Sequence, residues 1–390
     1  VRPVRVLARS VAVLLTATGL AAVPADAVVG QARAVEVWLV GNGYGHGHGL
    51  SQWGAQRQAE RGRTAGQILS FYYPGLRSGT AGGNVRVLLT ADTTDDVVVR
   101  DRPGLRLTSL GSRRTVSLDR PAAAVRWRIT PAGPRGSAVS WKPRGGAWRP
   151  WRTVRGLAQF SAGPSPVVLV TPSGPRAYRG ALRSAAPSRT STRRDTVNVV
   201  PLEAYVRGVV PREVYTSWRP ATLRAQAVAA RTYAAFERTA RAGQWWHVDD
   251  TTSSQVYGGS GDEVASTDAA VAATRGRVLL HRGRPAFTQF SASNGGWAAA
   301  GSQPYLAARR DPYDDTYRGW TATVTAAAAQ RAYPSIGTFR GVEVLTRDGH
   351  GQWGGRVLRV RVLGSEASPV VSGEDFRFAF GLRSEWFSLR

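Results

Sequence analysis

The sequence predicts an α+β protein in which one helical segment is set between β-rich regions. Three observations point that way. Between residues 84 and 198, short β-branched and apolar runs alternate with Pro, Gly and Ser clusters. Residues 199–264 lose that punctuation and carry apolar positions at three- and four-residue spacing. From residue 277 onward, short strand-like runs return. The chain has 390 residues, of which 42% are hydrophobic and 20% charged. That is a globular composition, long enough to bury a core without covalent staples.

The elements follow in order. Arg2, Arg5 and Arg9 precede a mostly apolar run from Val11 to Val23, and Ala25-Asp26-Ala27 fits a small-x-small cleavage site. The run is shorter than the roughly 20 residues that span a bilayer. Residues 1–27 are therefore expected to be a signal peptide, with no transmembrane anchor left after cleavage. An uncleaved N-terminal anchor is the alternative. Residues 28–83 form an N-terminal element. Val35 to Val40 reads as a strand, and the glycine-rich loop Gly41 to Gly49 follows. A helix then runs from Leu50 to Arg61, with Ser51 as a possible cap. Residues 84–198 form a β-rich region, with strands around Val85, Val97, Val125, Val167 and Tyr178 and a loop from Ser184 to Arg194.

In residues 199–300, Leu202 to Val210 reads as a short amphipathic helix, and Pro211 to Trp218 as an irregular turn holding Glu213. Pro220 suits the first turn of a second helix, expected to run to Ala242 before Gly243. Its apolar face, Leu223, Ala227, Ala230 and Ala234, is small enough to let another element approach closely. Residues 301–390 read as a further β-rich part of the same domain.

Composition excludes several functions. There is no cysteine, which rules out disulfides, thiolate zinc sites and cysteine nucleophiles. The 52 basic residues outnumber the 26 acidic ones, for a formal charge of +26, and Lys142 is the single lysine. Such a field favours polyanions. The arginine excess reads equally well as the residue usage of a GC-rich coding sequence. The expected export argues against nucleic acid as a partner and for an acidic cell wall. The Gly41–Gly49 loop lacks the Gly-Lys-Ser/Thr ending of a phosphate loop. No serine lies in a Gly-x-Ser-x-Gly elbow.

The run PLEAYVRGVVPREV from Pro201, then TSWRPATLRAQAVAARTYA, then TTSSQVYGG from Thr251, resembles the stage II sporulation protein D (SpoIID/LytB) family. FSASNGGW at Phe290–Trp297 and FRFAFGLRSEWF at Phe376–Phe387 extend the likeness. YGHGHGLSQWGA at Tyr44–Ala55 also looks like a family element, one that more often lies near the C-terminal end of relatives.

The resemblance implies a lytic transglycosylase of peptidoglycan. Such enzymes cleave between N-acetylmuramic acid and N-acetylglucosamine, in glycan strands stripped of stem peptides, and leave a 1,6-anhydro ring. It also implies the alternative of a non-enzymatic enhancer of a wall amidase. The family's catalytic Glu lies in a Val-Pro-x-Glu motif, here Val210-Pro211-Arg212-Glu213.

One carboxyl can suffice for this reaction. Hydrolysis needs two, because water or an enzyme nucleophile must be handled opposite the leaving group. In lytic cleavage the sugar's own 6-hydroxyl attacks, an intramolecular nucleophile with high effective concentration. Glu213 would then start protonated, with a pKa raised by burial among Val209, Val210, Val214, Tyr215 and Trp218. Arg212 is expected to point outward. Glu203 is the rival acid, although its place suits the first turn of a helix.

The other expected substrate contacts are Gln226, Arg231, Tyr233, Ser291, Ser293, Asn294 and His46. Each has a structural alternative. Gln226 and Arg231 could make internal hydrogen bonds, and Tyr233 could pack in the core. Ser291, Ser293 and Asn294, before Gly295-Gly296, could form a plain turn, and His46 could order its loop. Some relatives bind zinc through a His and two Cys near TTSSQVYGG. Asp249 and Ser254 occupy the cysteine places here, and Ser is a poor zinc ligand. No metal or cofactor is expected.

Overall fold

A computed structural model describes residues 35–390. The expected signal peptide, residues 1–27, lies outside the described residues. The chain is α+β.

The N-terminal element carries α1 (Gln52–Glu60) and α2 (Ala65–Tyr72). Ser51 caps α1 by accepting the Gly54 N–H, as its position in the sequence suggests. Thr64 and Gln67 form a reciprocal capping box on α2. These caps satisfy backbone donors that two short helices would otherwise leave unpaired.

The β-rich region folds as two stacked, mainly antiparallel sheets, with Val248–Asp249 added in parallel at one edge. One is seven-stranded and has Asp195–Pro201 and Asn84–Leu88 as neighbours near one edge. The other is six-stranded, with Ala124–Pro131 between Gly136–Pro143 and Val97–Arg100. Alternation explains the stacking. Val97, Val99, Trp127, Ile129 and Val139 point inward and are buried, while Arg100, Arg126 and Arg128 stand on the opposite face.

The strand Asp195–Pro201 leads directly into α3 (Leu202–Glu213). Its Leu202, Tyr205, Val206, Val209 and Val210 are buried in the core beneath the sheets. Each fully buried aliphatic side chain of this kind contributes about 1.5–3 kcal/mol. The helix runs three residues beyond the expected end at Val210. Pro211 is inside it, and Glu213 is its last residue rather than part of a turn. The Val214 N–H donates to the Val210 carbonyl and closes the last turn across Pro211. The bond that Pro211 deletes belongs to the carbonyl of Arg207, which is only half-buried and can be hydrated.

Helix α4 (Pro220–Ala240) is buried on two faces, not the single face that its periodicity suggests. Leu223, Ala227, Ala230 and Ala234 join the sheet core. Ala225, Val228 and Ala229 meet Ile68, Leu69 and Tyr72 of the N-terminal element. Alanines on both faces let both partners approach. Helix α5 (Ala265–Ala273) packs against α3 and α4.

The C-terminal part holds a third core around Phe339, Val360, Phe376 and Phe387, with α6 (Ala326–Ala332) and α7 (Gly373–Ala379). The strand Glu36–Asn42 is the centre of a three-stranded sheet, between Arg318–Thr325 and Phe387–Leu389. Leu50-Ser51 pairs in parallel with Phe290-Ser291, and Tyr44 bridges Ser293. The N-terminal element is thereby bound to both later parts of the chain. No helix among the described residues is long and apolar enough to cross a membrane.

Candidate active site

Glu213 ends α3 at the wall of a cavity of about 450 Å³. Five stretches distant in sequence close it. Tyr44, His46 and Gln52 come from the N-terminal element, and Tyr233 from α4. Thr252–Ser254 and Gln289–Ala292 supply polar loops, and Glu374, Arg377 and Phe378 of α7 supply the far side.

The Glu213 carboxyl accepts the Val256 N–H at Oε1, 2.7 Å away. Burial raises its pKa, and this outweighs the Val256 bond, the Gln52 side chain and the Arg212 charge, all of which lower it. Arg212 points away from the cavity, 3.5 Å from Asp262 and with half of its side chain exposed. Val209, Val210 and Val214 form the apolar backing. Tyr215, expected in that backing, is 60% exposed instead. It joins Trp53 and Trp218 in an edge-to-face cluster next to the last turn of α3.

His46 lines the cavity, and its ring stacks on His48 at 5.0 Å. Its Nδ1 accepts the His48 N–H, which leaves the proton on Nε2. Burial, then the charges of His48, Arg356 and Arg377, push its pKa down to about 3. It is therefore a neutral imidazole at any ordinary pH. The loop around it needs glycine. At Gly49, with φ of +66°, a Cβ would sit 2.1 Å from the Gln289 carbonyl oxygen.

Of the expected substrate contacts, Tyr233, Ser291 and His46 reach the cavity. Tyr233 also stacks on Phe287 at 5.5 Å, and Ser291 accepts the Gly47 N–H, 3.2 Å away. The other four lie elsewhere. Arg231 is fully buried and makes a bidentate pair with Glu203 at 2.8 and 2.9 Å. It has no free face for a sugar, and the same pair commits Glu203 to structure. Ser293 and Asn294 are also fully buried, and donate to Asp314 and Asp311. Gln226 is buried on α4 away from the cavity.

Sequence reasoning missed Tyr44, Gln52, Glu374, Arg377 and Phe378. For Gln52 the signal was present, because the SQWGA run belongs to a family element. Arg377 and Phe378 carry a signal of the same kind in the FRFAFGLRSEWF run, whereas Glu374 lies outside it and only the fold brings it to this cavity.

The residues at the zinc positions of some relatives do not fit a metal. Ser254 donates to Asp249, 3.2 Å away. Both ring nitrogens of His247 face donors of Arg86, the backbone N–H at 3.1 Å and Nε at 2.9 Å. Among the described residues there is no group of three or more potential metal ligands.

Residues 190–281 match the SpoIID family, stage II sporulation protein. The chain is 39% identical to the amidase enhancer of Bacillus subtilis (strain 168) over 126 residues, 31% of this chain and 17% of that protein. It is 30% identical to the stage II sporulation protein D of Bacillus amyloliquefaciens over 227 residues, 50% of this chain and 62% of that protein. The corresponding Bacillus subtilis protein is 28% identical over 224 residues, 50% of this chain and 63% of the relative. The chain thus spans less than two thirds of each of these relatives. The segment that matches the SpoIID family holds α3, α4 and Glu213, so the likeness falls on elements that build the wall of the cavity.

Proposed function

We propose that the protein is an exported peptidoglycan lytic transglycosylase of the cell wall, with Glu213 as its single acid and base. The observation that carries this reading is a carboxyl with a burial-raised pKa in the wall of a cavity of about 450 Å³. In the first half of the reaction, protonated Glu213 gives its proton to the glycosidic oxygen, and the bond from that oxygen to the muramic C1 breaks. In the second, the 6-hydroxyl oxygen of the same sugar bonds to C1, and its proton passes to the Glu213 carboxylate. Atoms and charge balance, no water enters, and the enzyme returns to its starting state. Val256 stabilises the carboxylate formed midway, and the burial favours the acid at the start.

Tyr233, Ser291, Tyr44 and the neutral His46 are the proposed sugar contacts. With its pKa pushed down to about 3, the imidazole does not compete with Glu213 for the proton. The substrate is taken to be glycan already stripped of stem peptides, as the family resemblance implies.

The 39% identity to an amidase enhancer supports a second reading, in which the protein activates a wall amidase without cleaving glycan itself. One digest separates the two. Glycan strands with and without stem peptides are treated with wild type and with Glu213→Gln, and products are read by mass spectrometry. Anhydro ends from wild type alone are expected. Reducing ends would indicate hydrolysis. No cleavage by wild type, together with faster stem-peptide release when an amidase is added, would replace the lytic reading with the enhancer reading.

A further inference from the structure

The six-stranded sheet carries a row of cations on its outer face, far in sequence from Glu213. Arg100 pairs in register with Arg126, and Arg126 with Lys142, across three adjacent strands. A β-bulge between Ala124 and Arg126 leaves Val125 and Arg126 both exposed. Arg144 stands in the turn beyond Lys142, and the four cations line one shallow groove of about 560 Å³. None of the four has a carboxylate within ion-pair distance among the described residues. Like charges placed directly opposite each other on a sheet destabilise it. The fold nevertheless sets three in a row, with spacing near the ~4.8 Å between strands.

The groove is also chemically one-sided. Its side chains are Arg100, Val125, Arg126, Lys142, Pro143 and Arg144. They offer hydrogen-bond donors and positive charge, but no side-chain acceptor and no aromatic ring. A polysaccharide presents hydroxyl donors that need acceptors or rings to stack on. Single-stranded nucleic acid needs rings for its bases. A phosphodiester chain presents acceptors and one fixed negative charge per repeat. We propose that this row is a binding site for a linear phosphodiester polymer, separate from the glycan cavity. A single phosphate cannot bridge three positions that span about 10 Å across the strands. A polymer can, and each neutralised cation adds to the salt dependence of binding.

The test measures binding of the full chain to poly(glycerol phosphate) over a range of salt. The row variant is Arg100→Thr, Arg126→Thr and Lys142→Thr together. The control removes the same charge at Arg331, Arg340 and Arg359, which are exposed elsewhere. The row variant should bind about tenfold more weakly or worse at low salt, and its salt slope should fall by about 2. The control should stay within about threefold of wild type. The melting temperature of the row variant should be unchanged or higher, because like-charge repulsion has been removed. Arg126→Thr alone, flanked by like charges on both sides, gives the smaller version of the same result if the triple variant misfolds. Equal losses in row variant and control would overturn the proposal in favour of net charge. Row-dependent binding of polygalacturonate as tight as that of the phosphodiester would overturn its chemistry. Tighter row-dependent binding of duplex DNA would make the site a nucleic-acid one.

Discussion

The backbone N–H of Val256 donates to the carboxyl of Glu213 at 2.7 Å, across 43 residues of sequence. This bond favours the ionised carboxyl, and burial favours the neutral one more strongly, so the pKa lies above the ordinary range. Two consequences share one sign. An acid catalyst must be protonated, so glycan cleavage should fall as pH rises through the raised pKa. The folded state binds that proton more tightly than the unfolded chain does. The stability this gives is present at low pH and is lost as pH rises through the folded pKa. Glu213→Gln should therefore lower the cleavage rate by about 10²–10⁴-fold while leaving the melting temperature at pH 7 equal or higher. Rate and melting curves on the same preparations check both.

Glu374 is the second carboxyl lining the cavity, exposed on the first turn of α7. Hydrolysis would need it, and lytic cleavage would not. Glu374→Gln should keep anhydro products, with a rate within about threefold of wild type. A loss as large as that of Glu213→Gln would mean a two-carboxyl mechanism.

Arg231, fully buried, and Glu203, partly buried, form the ion pair that ties α4 to the start of α3. The guanidinium also donates to the Val271 and Arg277 carbonyls, and Glu203 accepts the Gly276 N–H. Removing either partner strands the other. Arg231→Ala should destabilise the protein by about 3 kcal/mol or more, measured by denaturant unfolding. The double variant with Glu203→Gln should cost less than the sum of the two singles.

Asp314 binds the N-terminal element to the Ser293–Gly295 turn. It accepts from Ser51 Oγ at 2.6 Å, Ser293 Oγ at 2.9 Å and the Asn294 N–H at 2.7 Å. Burial raises its pKa, so its protonation favours the folded state, and that contribution is lost as pH rises through the folded value. Asp314→Ala leaves these donors unpaired and should cost about 2–4 kcal/mol. Limited proteolysis should then cut first near the glycine-rich loop.

Local signals in the sequence located much of this. Ser51 was legible as a cap and Pro220 as a helix start, and the Val-Pro-x-Glu run marked a carboxyl that the fold brings to the cavity wall. Two of the misreadings share one cause, which is a partner remote in sequence. Arg231 looks like a substrate ligand until Glu203, 28 residues earlier, folds against it. Ser293 looks like an open turn until Asp314, 21 residues later, covers it. Pro211 looks like a helix end, because nothing local shows that Val214 closes the turn beyond it.

Gln52 links the N-terminal element to the Glu213 carboxyl. It is the first residue of α1, lines the cavity, and acts through its side chain on the Glu213 carboxyl in the direction that lowers the pKa. Gln52→Leu removes that stabilisation of the ionised form and leaves the burial in place. The Glu213 pKa should rise further, so the alkaline limb of the kcat/KM profile should move to higher pH. Cleavage at low pH, where Glu213 is protonated in both proteins, should change little. A purely structural role for Gln52 would instead lower the rate at every pH and leave the limb where it was. A full pH profile of wild type and variant on stripped glycan distinguishes the two, and a shift toward lower pH would show that Gln52 favours the neutral acid.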